Sequence, residues 1–190
     1  MTSHVFPIGQ YNGFREPDQV VRVGWSQHRL EPDAFAVWVL AHGLPEVGKG
    51  VWSVTDVVAQ GKQAGVEDPA AYVERLADAG LIAVVEDGRQ FAQRHRMDVM
   101  FVGLGNTPDR LEGHAVGIPG LGAAAVLDPD CYELWQWGSV APTLWHSCEV
   151  RATVAAEPSA RPDPEAALRE ILGDLRFLVA RGCASLDVAG

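Results

Sequence analysis

The sequence predicts an α+β, mainly helical fold built as two related halves, residues 1–100 and 101–190, with small antiparallel sheets. The first observation behind this is an internal match. Leu30-Glu31-Pro32-Asp33-Ala34-Phe35-Ala36-Val37-Trp38 aligns with Leu127-Asp128-Pro129-Asp130-Cys131-Tyr132-Glu133-Leu134-Trp135, sharing a leucine, an acid, Pro-Asp, an aromatic ring and a tryptophan. The second is a helix opened by Asp-Pro and closed by glycine in each half, at Asp68-Pro69 to Gly80 and at Asp163-Pro164 to Gly182. The third is composition: 47% hydrophobic and 21% charged residues in a chain of 190 are enough to bury a core and place it among globular proteins. Read without duplication, the same elements make a single α+β domain.

Each element has a local cause. In both matched segments a leucine precedes a Pro-Asp first turn, where proline's missing N–H leaves no helix bond unmade and aspartate meets the positive end of the helix dipole. Phe35 and Trp38, like Tyr132 and Trp135, sit three apart on one helix face and should point inward. A middle helix follows in each half, with Ser53 capping Val54 to Lys62 and Thr143 capping Leu144 to Ala155. The third helices carry Tyr72, Val73, Leu76 and Ala79 in one half and Leu168, Ile171, Leu172, Leu175, Leu178 and Val179 in the other. The later one is longer by about two turns. Gly80 and Gly182 end them, and strand-like segments follow at Leu81 to Val85 and Ala184 to Val188. In the first half the strand should open a hairpin, Leu81 to Glu86 and Gln90 to Gln93 flanking the turn Asp87-Gly88-Arg89.

The totals narrow the function classes. The longest apolar runs, Ala34 to Ala41 and Gly80 to Val85, fall far short of the roughly 20 residues of a membrane span. The N-terminus lacks a basic stretch followed by an apolar core, so a cytoplasmic location is expected. Cys131, Cys148 and Cys183 are odd in number and unrelated in spacing, which suits reduced, packed thiols. A net charge of −10 works against a DNA-coating surface without excluding one local basic patch.

Asp68 to Val85, centred on Leu76-Ala77-Asp78-Ala79-Gly80-Leu81-Ile82 and followed by a charged hairpin, resembles the third helix and wing of a winged-helix domain. The resemblance runs from Leu30 to Gln93 and is looser in the second half. It implies a three-helix core with a small antiparallel sheet, in tandem, and a fold that serves DNA, protein or peptide binding alike. The second half, with Gly113 to Gly117, Gly122 to Leu127 and then Tyr132-Glu133-Leu134-Trp135, distantly resembles the precursor-peptide recognition domains of ribosomal peptide modification pathways. Those are winged-helix modules in which short strands precede the helices and the peptide adds to the sheet edge. The chain departs from them by its long terminal helix and by the leading copy.

Candidate chemistry is sparse. The third helix of the first half offers Glu74, Arg75 and Asp78 on its outer face, and its later counterpart Glu165, Glu170 and Asp174, where a DNA reader would carry Arg, Asn, Gln or Ser. Arg89, Arg94 and Arg96 on or after the wing could touch a nucleic-acid backbone, or could balance Asp87 and Asp98 on a solvated hairpin. His146, Cys148 and Glu149 group loosely, but residues two apart on a helix diverge, so no metal site is expected. Cys131 lies at a helix start among acids that raise a thiol pKa, a poor nucleophile. The glycines at 103, 105, 117, 120 and 122 form no GxGxxG or GKS pattern and read as turns. Trp137, two residues from Trp135, cannot share its face and could anchor a partner or equally seal the contact between the halves.

The expected function is therefore non-enzymatic, without cofactor: a tandem winged-helix module binding a protein or peptide. The edge of a small sheet, the groove beside the third helix (Glu74, Arg75, Asp78) and Trp137 are the expected contacts, and the acidic helices favour a basic or mixed-charge partner. The alternative is a DNA-binding regulator using the Arg89 to Arg96 wing, and an enzyme or enzyme subunit is the third reading.

Overall fold

The computed structural model describes residues 3–107, 110–157 and 161–190. Within them helices begin where a side chain can accept a free N–H. In α2 (Val54–Gln63) Ser53 accepts from the Asp56 amide while the Asp56 carboxylate accepts from the Ser53 amide, a reciprocal cap. Asp68 caps α3 (Pro69–Asp78), Asp128 caps α5 (Pro129–Trp137), Thr143 caps α6 (Leu144–Ala155) and Asp163 caps α7 (Pro164–Ala180). Only α1 (Pro32–Leu40), preceded by Glu31, has no side-chain cap and relies on its Pro-Asp first turn.

The strands make four small antiparallel sheets. β1 (Val5–Pro7) pairs β5 (Ile82–Val84), and β6 (His95–Val99) pairs β10 (Ala184–Val188). Two meanders lie between, β2 (Gln10–Arg15), β3 (Asp18–Val23) and β4 (Ser26–Leu30) in one, β7 (Val102–Thr107), β8 (Arg110–Ile118) and β9 (Gly122–Leu127) in the other. The order strand, meander, three helices, strand thus occurs twice along the described chain. Helix takes 43% and strand 29%, a larger strand share than the sequence suggests. The first meander was hidden because its residues are polar on both faces, as in the mostly exposed β2 and β4, and so lack the alternation that marks a half-buried strand.

One expectation is overturned. Asp87-Gly88-Arg89 is no hairpin turn: Asp87 accepts from the Gln90 amide and starts α4 (Gly88–Arg94), whose Phe91 and Ala92 are buried. An Asp followed three residues later by an amide donor is as good a helix cap as a turn, and burial of Phe91 decides between them. β5 pairs β1 instead, and β6 beyond α4 crosses to β10, so residues 95–99 join the last strand of the chain rather than the first half's sheet.

Two buried clusters form. Val5, Val21, Leu30, Val37, Trp38, Trp52, Val73 and Leu76 belong to one, while Met97, Val116, Leu127, Leu134, Trp135, Leu144, Ile171 and Leu178 belong to the other. Phe6 and Ile8, from the start of the chain, pack into the second. The alternation of β1 explains this: Val5 faces one core and Phe6 the other. The Gly9 amide then donates to the Leu186 carbonyl at 2.7 Å, tying the start of the chain to its last strand. Gly9 has φ +95°, and a Cβ there would lie 2.4 Å from the Arg22 carbonyl oxygen, so only glycine fits.

Polar groups cross the same boundary. Arg176 on α7 is fully buried, with no carboxylate partner among the described residues; its guanidinium donates to the carbonyls of Ala41 (3.2 Å) and His42 (2.8 Å) at the end of α1 and to that of Val5. It also lies 4.2 Å from the centre of the Phe6 ring. The negative end of the α1 dipole supplies the missing counter-charge. Burial still presses its pKa down to about 10.

A candidate binding groove

A cleft of about 530 Å³ opens between β4 and α3. Gln27, Arg29 and Leu30 of β4 form one wall, Arg75, Leu76 and Ala79 of α3 the other, and Ala34 of α1 lines it as well. β4 pairs only with β3 among the described strands, so its outer edge keeps unpaired main-chain donors and acceptors. Ion pairs hold the rim: Arg75 is hydrogen bonded to Glu31, and its guanidinium rests 4.6 Å from the centre of the Tyr72 ring. Arg29 stands 4.0 Å from Asp18. Apolar floor, polar rim and an open strand edge are what an extended peptide requires.

Of the residues expected to form this surface, Arg75 lines the cleft. Glu74 and Asp78 are exposed on the same helix but are not part of the lining, because they project from the outer side of α3. Trp137 lies far from it. It is 60% exposed and lines a second, smaller cleft of about 280 Å³ with Leu134, Val140, Val150 and Ile171.

The basic residues expected on a wing have other duties. The Arg89 guanidinium stacks 4.6 Å from the Trp145 ring and stands 3.9 Å from Glu165. Arg96 makes a two-bond pair with Asp98 at 2.8 and 3.1 Å. Arg94 is exposed at the end of α4, with its own carbonyl accepting from Ala189. With α4 in place of a wing, these three do not project together from a hairpin.

The thiols are buried, and burial raises all three pKa values, to about 12 for Cys148, to about 11 for Cys183 and further for Cys131. A thiol held protonated at neutral pH is no nucleophile. His146 approaches Glu149 at 3.8 Å, and among the described residues no group of three His, Cys, Asp or Glu could hold a metal ion.

Read from the sequence, Asp174 lies on the outer face of its helix and neither Arg176 nor Asp187 is marked as buried; the structure buries all three. Asp174 on α7 is nearly inaccessible and meets Lys49 Nζ at 2.7 Å and Arg151 at 2.8 Å, while Lys49 also reaches Asp128 at 2.6 Å. Asp187 on β10 accepts from the Gly24 amide at 2.7 Å. A signal for the first existed: Asp174 and Arg176 interrupt the apolar run of α7, where a solvated charge would not sit beside Leu175 and Phe177.

No protein-family model, curated protein or solved structure matches the chain. No helix among the described residues is long and apolar enough to cross a membrane.

Proposed function

We propose that the chain is a non-enzymatic adaptor of the cytoplasm, two winged-helix-type units in tandem, of which the first binds an extended peptide along β4 beside α3. The observation that carries this is the cleft itself, an open strand edge facing a helix wall across about 530 Å³. Main-chain bonds to β4 would supply affinity, and the Glu31–Arg75 and Asp18–Arg29 pairs at the rim would select a mixed-charge peptide. Several features support the tandem reading: the repeated element order, the matched Trp-bearing helices, and the same glycine closure after α3 and α7. The junction between units would then fall at α4, since β6 pairs with β10.

The test is a selection of displayed 12-residue peptides (length on the order of two strands) on the whole chain, followed by titration of the best against Ala79→Trp and Glu74→Lys/Asp78→Lys variants. Ala79→Trp fills the cleft and should weaken binding by more than tenfold, about 1.4 kcal/mol. The double charge reversal lies outside the lining and should change it less. Equal binding by parent and Ala79→Trp would remove the groove as the site.

A further inference from the structure

We infer that the segment Pro45–Lys49, a 3-10 turn over Pro45–Val47, is an internal ligand: in the second unit it bridges the two positions whose counterparts flank the open groove of the first. This rests on the reading of the two halves as copies of one peptide-binding unit.

Two anchors align the copies. At the strand-to-helix junction Leu30-Glu31 matches Leu127-Asp128. At the other wall the helices close identically, with the Leu81 amide donating to Leu76 and the Cys183 amide donating to Leu178, each at 2.8 Å, beside glycines at φ +71° and +64°. Glu31 therefore corresponds to Asp128, and Ala79 on the groove wall corresponds to Arg181. Both of those second-unit positions hold the 45–49 segment. Lys49 Nζ meets Asp128 at 2.6 Å, and Arg181 donates to the Pro45 carbonyl at 2.8 Å. Lys49 also reaches the buried Asp174, and its backbone comes so close to α7 that a Cβ on Gly173 would lie 3.1 Å from the Lys49 carbonyl oxygen.

Among the described residues no such segment reaches these positions in the first unit. There Glu31 is paired by Arg75 from its own α3, and the place of Arg75 in α7 is taken by Phe177, which carries no charge for Asp128. In the second unit Arg151 of α6 acts on the junction acid without pairing it directly, being bonded to Asp174 and the Asp130 carbonyl, and the direct partner of Asp128 is Lys49 from the α1–α2 connection of the first. Delivered within one chain, such a segment needs little intrinsic affinity, because its effective concentration is on the order of millimolar. The consequence is that the chain offers one open groove and one that is occupied by itself.

The experiment uses the full chain and a synthetic peptide of residues Gly43–Val51 as probe. In a variant with Pro45–Lys49 replaced by an equally long Gly-Ser stretch, the peptide at about 1 mM should shift the backbone NMR signals of Asp128, Gly173 and Arg181. The parent, with its site filled, should show no shift at these residues. No shift in the variant, or the same shift in both, overturns the inference. If the replaced chain does not fold, Lys49→Met keeps the loop and leaves Asp174 its Arg151 partner. Amide exchange over residues 45–50 should then accelerate by about tenfold with α7 unchanged, and exchange as slow as in the parent overturns the inference. Because the readout lies at Asp128 and Arg181, its failure is distinct from a failure of the β4 groove, which is read at Ala79.

Discussion

Trp38 and Trp135 make the same hydrogen bond in two places: each indole N–H donates at 3.2 Å to a backbone carbonyl just past a first strand, that of Ile8 after β1 and that of Met100 after β6. Each ring also stacks on the aromatic side chain one turn earlier, Phe35 or Tyr132, with centres 5.7 Å apart in both. A buried indole needs a partner for its one donor, and here that need fixes where the helix sits against the strand.

Replacing either tryptophan by phenylalanine deletes the donor and leaves a carbonyl unpaired, and should cost about 1–2 kcal/mol at each site. Alanine also removes the packing and should cost about 3–5 kcal/mol. Urea unfolding measures both. Equal losses at the two positions are expected, and a loss below about 1 kcal/mol for either alanine variant would end their equivalence.

Arg176→Met keeps the length of the side chain but abandons the carbonyls of Val5, Ala41 and His42. Two effects oppose each other, relief of a buried charge and orphaning of three acceptors. The acceptors should win, at about 2–4 kcal/mol. Arg176→Lys should recover little of it, since one ammonium cannot span carbonyls from β1 and from the end of α1. A gain in the urea midpoint for Arg176→Met would reverse this ranking.

Asp174→Asn leaves the largely buried Arg151 facing a neutral amide while Lys49 keeps Asp128, with an expected loss of about 1–3 kcal/mol. Lys49→Met should cost only about 1 kcal/mol, because Lys49 is 42% exposed and Asp174 keeps Arg151. A double-mutant cycle on the two reads their coupling directly, and additivity within 0.3–0.5 kcal/mol, roughly the limit for independent sites, would dissolve the bridge.

Stability should fall with acid before the carboxylates titrate. Burial first, and the neighbouring Arg176 in the same sense, hold His42 at a pKa of about 4, against backbone hydrogen bonds to Val39 and Trp38 that work to raise it. Its folded pKa lies below its unfolded value, so the unfolded chain binds more protons between pH 6.5 and 4 and stability declines as pH falls through that window. His4 and His95 are shifted in the same direction by burial. Thermal melts of the parent should lose on the order of 2–3 kcal/mol from pH 7 to 4.5 through His42 alone. His42→Asn, which cannot charge, should show a visibly flatter profile. Parallel profiles would show that His42 charges as easily in the folded state as in the unfolded one.

Some of this was settled by the sequence. Helix starts are local events, written in a few consecutive residues, and so Ser53, Asp68, Thr143 and Asp163 open helices where their caps predict. The inward tryptophans followed from helical spacing in the same way. What the tertiary structure alone decided was everything that depends on a distant partner. Asp87 could cap a helix or turn a hairpin, and the burial of Phe91 chose the helix. β6 could have ended the first half, and its pairing with β10 sent it to the second. Polar meander strands form because hydrogen bonds from neighbours satisfy them, which no period in their own residues announces. Arg176 and Asp174 are charges on an apolar face, and the approach of Val5 and His42 to the one, and of Lys49 together with Arg151 to the other, makes their burial tolerable, since a buried charge is stable only where other groups have already replaced its water.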